Sequence, residues 1–163
     1  MRSAKARLTL AIALFALGAP APPLAAEVTE IVRLSAGAVR IERNSGEARV
    51  AVAEKGFEEW TEPGRPILPF RIVNVLLPPG HEVDNVTPET GEARAIGDYA
   101  RPALGEAPVT MDGVKGAGRP MFVEDGPVYP PVAAKYLGTG YFHGFAIASF
   151  AVFPLRVENG ALT

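Results

Sequence analysis

The chain has 163 residues, with 16 Lys and Arg against 18 Asp and Glu, and it contains no cysteine. Because cysteine is absent, disulfides and thiol chemistry are excluded, and stability has to come from packing. The mild acidity and the lack of a basic stripe argue against a nucleic-acid partner.

Residues 1–26 have the pattern of a secretory signal peptide. A basic start is followed by the ten-residue apolar run Leu8–Leu17 and by a small-residue tail that ends at Ala26. A membrane-spanning helix needs roughly 20 apolar residues, so a short membrane anchor is the weaker alternative. We therefore expect an exported protein, secreted or periplasmic, whose mature form has no membrane segment. Without residues 1–26, 13 basic residues face 18 acidic ones, a net charge of −5.

The first elements of residues 27–163 are predicted to be strands. Val28–Leu34 has strand-like composition, and Ala38–Arg43 alternates apolar and charged residues. Asn44–Gly46 has turn chemistry, and the alternation resumes over Glu47–Val52. These segments predict a β-hairpin with one solvated face.

A proline-punctuated loop then leads into the most apolar strand candidate. Pro63, Pro66 and Pro69 lack a backbone donor and favour extended or turn geometry. The strand candidate ends at Pro78–Gly80. Its two predicted faces are Phe70, Ile72 and Leu76 on one side and Val73, Val75 and Leu77 on the other. Because both faces are apolar, we expect a central strand that is covered on both sides.

The remaining sequence completes an all-β prediction. Arg101–Pro131 is rich in proline and glycine and is interpreted as one long loop, functional or disordered. Tyr141–Phe153 fits a helix or a strand by periodicity, but Gly144, Pro154 and the β context favour a strand. The predicted fold is an antiparallel β-sandwich or barrel-like domain over residues 27–163, with one long Pro/Gly-rich loop.

The chain carries few groups suited to catalysis. A Cys-His dyad is impossible, and the only histidines are His81 and His143. Ser149 lacks the glycine-flanked turn that exposes a serine nucleophile, so a structural role is predicted. His81 with Glu82 and Asp84 matches no metal-ligand spacing and is interpreted as a solvated turn. We predict no catalytic, cofactor or metal site, and therefore a binding or structural module.

Several motifs occur in an order and spacing that resemble the gingipain-type propeptide domain. They are Pro63–Pro69 with the apolar strand that follows it, Leu77–Gly80, Val128–Pro130, Tyr141–Ala148, Val152–Leu155 and Asn159–Leu162. The resemblance covers nearly all of residues 27–162. It implies the β-sandwich or barrel-like N-terminal prodomain of a secreted bacterial cysteine endopeptidase, which maintains latency and assists folding.

The resemblance implies a gingipain-like cysteine peptidase domain as the partner, in cis or in trans. Two departures are present: Leu155–Glu158 stands where the family has Tyr-Asn-Pro, and no peptidase domain follows Thr163. A truncated precursor, a stand-alone inhibitor and the same module attached to another exported protein all stay open.

Within this reading, the Pro/Gly-rich loop is expected to reach into the protease. Lys115 or Arg119 would be offered to a carboxylate in the specificity pocket, and the alternative is that both are ordinary solvated cations. The competing class is a secreted adhesion or carbohydrate-binding module. Its candidate exposed aromatics are Trp60, Tyr99, Tyr129, Tyr136 and Tyr141.

Overall fold

The structure is a computed structural model that describes residues 4–14, 26–106 and 128–163. The described residues form β-strands, turns and loops, with one short 3-10 turn at Ala36–Ala38. The strands are β1 Ala4–Leu14, β2 Ala26–Leu34, β3 Val39–Asn44, β4 Glu47–Val52, β5 Glu58–Trp60, β6 Leu68–Leu77, β7 His81–Thr90, β8 Gly97–Asp98, β9 Val128–Tyr129, β10 Ala134–Phe142, β11 Phe145–Val152, β12 Val157–Glu158 and β13 Ala161–Leu162. The predicted all-β class is confirmed.

Two antiparallel sheets form the layers of a sandwich. One sheet has the strand order β2-β1-β7, and the other has the order β10-β11-β6-β5. Their inner faces share an apolar core in which Val32 of β2 meets Val75 and Leu77 of β6 and Phe150 of β11. The sandwich-like prediction is therefore confirmed. Residues 4–14, which lie in the predicted signal peptide, are the central strand of the first sheet.

A second core lies beside the sandwich. The predicted hairpin is β3–β4, and Ser45 and Gly46 at its turn have φ angles of 51° and 87°. Positive φ at both central residues is the geometry that matches the twist of paired strands. The hairpin packs on the small sheet β8-β13-β12-β9, with Val50, Tyr99 and Leu162 in the shared core.

The proline loop is held by backbone hydrogen bonds to residues 101–105. Gly64 N donates to Gly105 O at 3.0 Å, and Gly105 N donates to Arg65 O at 2.9 Å. Ile67 N donates to Ala103 O at 2.9 Å. Pro66 is fully buried. The loop therefore enters β6 from a fixed position.

Strand β6 differs from its prediction on one face. It ends before Pro78, as expected, and its inner residues Val75 and Leu77 are buried. On the other face Phe70 is buried, but Ile72 and Leu76 are 41% and 60% exposed. The expectation of cover on both sides is wrong for Ile72 and Leu76, because the β2-β1-β7 sheet packs on the inner face of β6 alone.

The segment Tyr141–Phe153 is a hairpin end and not one strand. Strand β10 ends at Phe142 and β11 begins at Phe145. His143 and Gly144 between them have φ angles of 48° and 84°. The preference for strand over helix was right, but the turn was not predicted, although His143 and Gly144 are both residue types that tolerate positive φ.

Gly105 offers a test of the loop attachment. A Cβ added there would lie 2.3 Å from the carbonyl oxygen of Glu62, whereas one added at Gly37 would have nothing within 4 Å. We expect Gly105→Ala to lower the free energy of unfolding by at least about 1–3 kcal/mol, because backbone has to shift. Gly37→Ala is the control and should change it by less than about 0.5 kcal/mol. Equal urea midpoints for the two variants would contradict this.

Tyr99 predicts an alkaline loss of stability. It is fully buried, and its hydroxyl donates to Ile67 O at 3.1 Å. Burial raises the pKa of Tyr99 from 10.0 to about 12, so the folded chain retains a proton that the unfolded chain loses. The free energy of unfolding is expected to fall between pH 10 and pH 12. In urea unfolding across this range, Tyr99→Phe should show a shallower fall than the wild type.

Candidate functional site

The candidate site is the apolar outer face of the β10-β11-β6 sheet. We define this outer face by Ile72 and Leu76 of β6, Phe145 and Ile147 of β11 and Phe142 of β10. In the sheet register, Ile147 pairs with Leu76, and Phe142 pairs with Phe145. Directly paired residues project from the same side of a sheet, so these side chains share one surface.

The outer face is open and flat toward the β10–β11 turn. Phe142 is 65% exposed and Phe145 is 55% exposed. Gly138 and Gly140 of β10 pair with Ser149 and Ile147, and a Cβ at either glycine would have nothing within 4 Å. Large apolar side chains gathered on one surface mark an interaction site more often than an ordinary solvated face.

At its other end the same face is closed by an aromatic cluster. The Trp60 ring lies 5.1 Å from the Phe70 ring and 5.4 Å from the Phe153 ring, edge to face in both cases. Lys135 Nζ lies 5.0 Å from the centre of the Trp60 ring. Ala151 is fully buried beneath this cluster. The apolar surface therefore runs from a packed end at Phe70 to an open end at Phe142.

A polar group fixes the packed end to the proline loop. Tyr129 Oη donates to Glu62 Oε2 at 3.3 Å, and Lys135 Nζ donates to Glu62 Oε1 at 3.4 Å. Burial, together with the nearby Glu62 carboxylate, raises the pKa of Tyr129 above its ordinary value. A neutral phenol that donates to Glu62 is thus the stable arrangement at physiological pH. The Lys135–Glu62 pair is half exposed and contributes little by itself.

One polar pair lies within the outer face. Ser149 Oγ donates to Asn74 Oδ1 at 2.7 Å across β11 and β6. This hydrogen bond is consistent with the structural role predicted for Ser149. The pair is flanked along β6 by Ile72 and Leu76.

A cleft of about 250 Å³ adjoins the open end of the face. It is lined by Leu77, Tyr141 and Phe145, with His81 and Glu82 from the start of β7. His81 Nδ1 lies 3.2 Å from Pro79 O, within the turn that links β6 and β7. The interpretation of His81 as a solvated turn residue is wrong, because His81 is the half-buried first residue of β7, directly after the Pro78–Gly80 turn. His143 is a turn residue, at the tip of the β10–β11 hairpin.

The candidate residues named from the sequence fall into three groups. Lys115 and Arg119 lie outside the described residues. Tyr99 is fully buried, and Trp60 and Tyr129 are half-buried in the contacts given above. Tyr136 and Tyr141 are exposed, although the Tyr136 ring also lies 5.5 Å from the Phe150 ring. The structure therefore retains two of the five proposed surface aromatics.

The described residues contain no group of three or more His, Asp and Glu side chains placed to hold a metal ion. The same part of the chain contains no helix with the length and hydropathy of a membrane span. Comparison of the chain with protein-family models, with curated proteins and with solved structures found no match.

The sequence predicted cover for Ile72 and Leu76, and it placed Phe142, Phe145 and Ile147 in a strand without predicting whether they are covered. Two signals could have separated a covered face from an open one. Gly138 and Gly140 alternate on one strand face, which removes the side chains that a packed face would need. Phe142 and Phe145 flank a two-residue turn, and a turn at the end of a hairpin is usually near solvent.

Adjacent residues of β6 test which face is open. Leu76 is exposed, and its neighbour Val75 is buried in the sandwich core. We expect Leu76→Glu to change the free energy of unfolding by less than about 0.5 kcal/mol, as for other surface substitutions. Val75→Glu should cost more than about 3 kcal/mol or prevent folding, because it buries an unpaired carboxylate. Similar losses for the two variants in urea unfolding would show that the outer face is covered.

Proposed function

We propose that this chain is the inhibitory prodomain of an exported, gingipain-like cysteine endopeptidase. The single observation that carries the proposal is the open apolar outer face, on a strand whose sequence is typical of two-sided cover. A peptidase surface packed on this face would supply the second cover. The resemblance in the Pro63–Gly80 and Tyr141–Leu155 motifs gives the class of partner, and the all-β fold is consistent with it.

The outer face would provide most of the apolar contact. Leu76, Phe142 and Phe145 are the most exposed members of this surface. Burying one such side chain completely is worth about 1.5–3 kcal/mol, so a few of them can dominate the affinity of a complex. The aromatic cluster at the packed end holds the sheet beneath them in a fixed shape, which lowers the entropy cost of docking.

The Pro/Gly-rich loop would add specificity. In the proposal, Lys115 or Arg119 enters the specificity pocket and pairs with a carboxylate there. A charge pair buried at an interface fixes orientation more than it adds affinity. The prodomain itself performs no reaction, and its effect is to exclude substrate from the peptidase cleft. It would also assist folding of the peptidase by presenting a preformed surface.

The outer face can be tested by inhibition of a gingipain-like cysteine peptidase. We expect Leu76→Glu and Phe145→Glu each to raise the inhibition constant by about 30-fold or more, because each places a charge in an apolar contact. The matched control is Ile31→Glu, which changes an exposed isoleucine on strand β2 of the other sheet. Ile31→Glu should inhibit like the wild type.

Two results would count against this docking surface. One is an unchanged inhibition constant for both outer-face variants, provided that their urea midpoints match the wild type. The other is an equal loss for Ile31→Glu, which would indicate a general effect of added negative charge.

The loop cations form a separate prediction. Lys115→Ala or Arg119→Ala should weaken inhibition by about 30-fold or more, since truncating one member of a buried charge pair costs about 2–5 kcal/mol. Lys115→Arg and Arg119→Lys keep the charge and should lose less. Inhibition constants are the measurement. Unchanged values for both alanine variants would remove the loop from the mechanism and leave the outer face as the proposed contact.

A carbohydrate-binding module is the second candidate. Tyr141 is 81% exposed and borders the cleft that also contains His81 and Glu82. An exposed aromatic ring beside polar groups is a common arrangement for a sugar. If the chain is a carbohydrate-binding module, it should bind on a glycan array, and Tyr141→Ala should lose that binding. The outer-face and loop variants described above should then show the same peptidase inhibition as the wild type.

A further inference from the structure

Strand β1 lies between two strands that have no other partner. It pairs antiparallel with β2 over nine residue pairs and with β7 over another nine. Within the part of the chain that the structure describes, neither β2 nor β7 is hydrogen-bonded to any other strand. The cohesion of this sheet therefore depends on β1.

The predicted export signal contains the whole of β1. Removal of residues 1–26 would leave β2 and β7 separated by two strand spacings, roughly 9.5 Å. At that distance their backbone groups cannot pair directly. Each would present a row of free N–H and C=O groups to the gap, which is the condition that favours capture of another strand.

We propose that this gap, the strand slot between β2 and β7, is a binding site for an extended segment of another polypeptide. Strand β1 fills the slot before export, and its removal with residues 1–26 makes the slot available. The main-chain hydrogen bonds of the slot give affinity, and alternate side-chain positions give selectivity, as in other cases of strand addition.

The register of β1 shows what the inner positions of the occupant require. Leu10 lies in register between Val28 of β2 and Val86 of β7. Val28 and Val86 pack against the sandwich core. Ile12 is in register with Val83, which also packs on this core. The occupant therefore needs apolar residues at the positions of Leu10 and Ile12.

The intervening positions require different chemistry. Thr9 of β1 lies in register between Thr29 and Thr87. Arg7 lies in register with Glu89, and like charges placed directly opposite each other destabilise a sheet. The occupant is thus an extended peptide of about nine residues that runs antiparallel to both neighbours. It is apolar at the positions of Leu10 and Ile12, polar at that of Thr9 and basic at that of Arg7.

The strand slot and the outer face belong to opposite layers of the sandwich. Variants of Leu76 and Phe145 leave β2 and β7 unchanged. These variants are therefore expected to bind the peptide in the strand slot like the wild type. Loss of peptide binding at the slot would leave inhibition through the outer face intact. The two proposals can therefore fail separately.

The test uses the chain as it is recovered after export from a bacterial host. Intact mass gives its N-terminus, which we expect at Glu27. Hydrogen exchange is then followed in peptides from β2, from β7 and from the β3–β4 hairpin. Addition of a synthetic peptide with the sequence of residues 4–14 should slow exchange in β2 and β7 by at least tenfold and leave the hairpin unchanged.

A proline version of the same peptide is the control. Replacing Thr9 by Pro removes a backbone donor, and proline is excluded from central strands, so this peptide should give no protection. Three results would overturn the proposal: retention of residues 1–26 after export, full protection of β2 and β7 without peptide, or equal protection by the proline peptide.

A charge exchange tests the register. Glu89→Arg should weaken binding of the natural peptide by about two- to fivefold, the value of a cross-strand charge pair. A peptide carrying Arg7→Glu should bind this variant better than it binds the wild-type chain. Absence of that reversal, with the peptide still bound, would show a different register from the one proposed.

Discussion

The antiparallel pairing of β6 with β11 determines both surfaces of the β10-β11-β6-β5 sheet. Seven residue pairs run from Leu77 with Ala146 to Arg71 with Val152. On the inner side this register places Val75, Ala148 and Phe150 in the core. On the outer side it places Leu76 beside Ile147 in the open apolar face. A slip of one residue would exchange the two sides, so the buried core selects the register and the outer face follows from it.

Much of the fold could be predicted because its signals are local. The β3–β4 hairpin is marked by clean alternation and by Ser45-Gly46 at the turn. The end of β6 is marked by Pro78-Pro79-Gly80. The contacts that hold the proline loop were not predictable in this way, because Gly64 and Gly105 are far apart in sequence and bond through backbone atoms. Backbone bonding of that kind has no side-chain signature.

The candidate site shows a related limit. Periodicity correctly assigned Ile72 and Leu76 to one face of β6, but apolar character alone cannot say what covers a face. The covering element for Phe70 is the ring of Trp60, whose position depends on the short pairing of β5 with β6. Beyond that ring the surface opens. The extent of the open outer face therefore depends on where intramolecular cover stops, and this is a property of the tertiary structure.

The hydrogen bond between Ser149 and Asn74 has a consequence for any complex formed on this surface. An asparagine amide carries two N–H donors in addition to the oxygen that accepts from Ser149. Desolvating those donors without an acceptor is unfavourable by roughly 1–3 kcal/mol. A partner surface that is entirely apolar would therefore bind poorly at Asn74, whereas a surface that places a carbonyl oxygen there would bind better. The Asn74 amide, which lies among apolar side chains, can in this way make binding to the outer face selective.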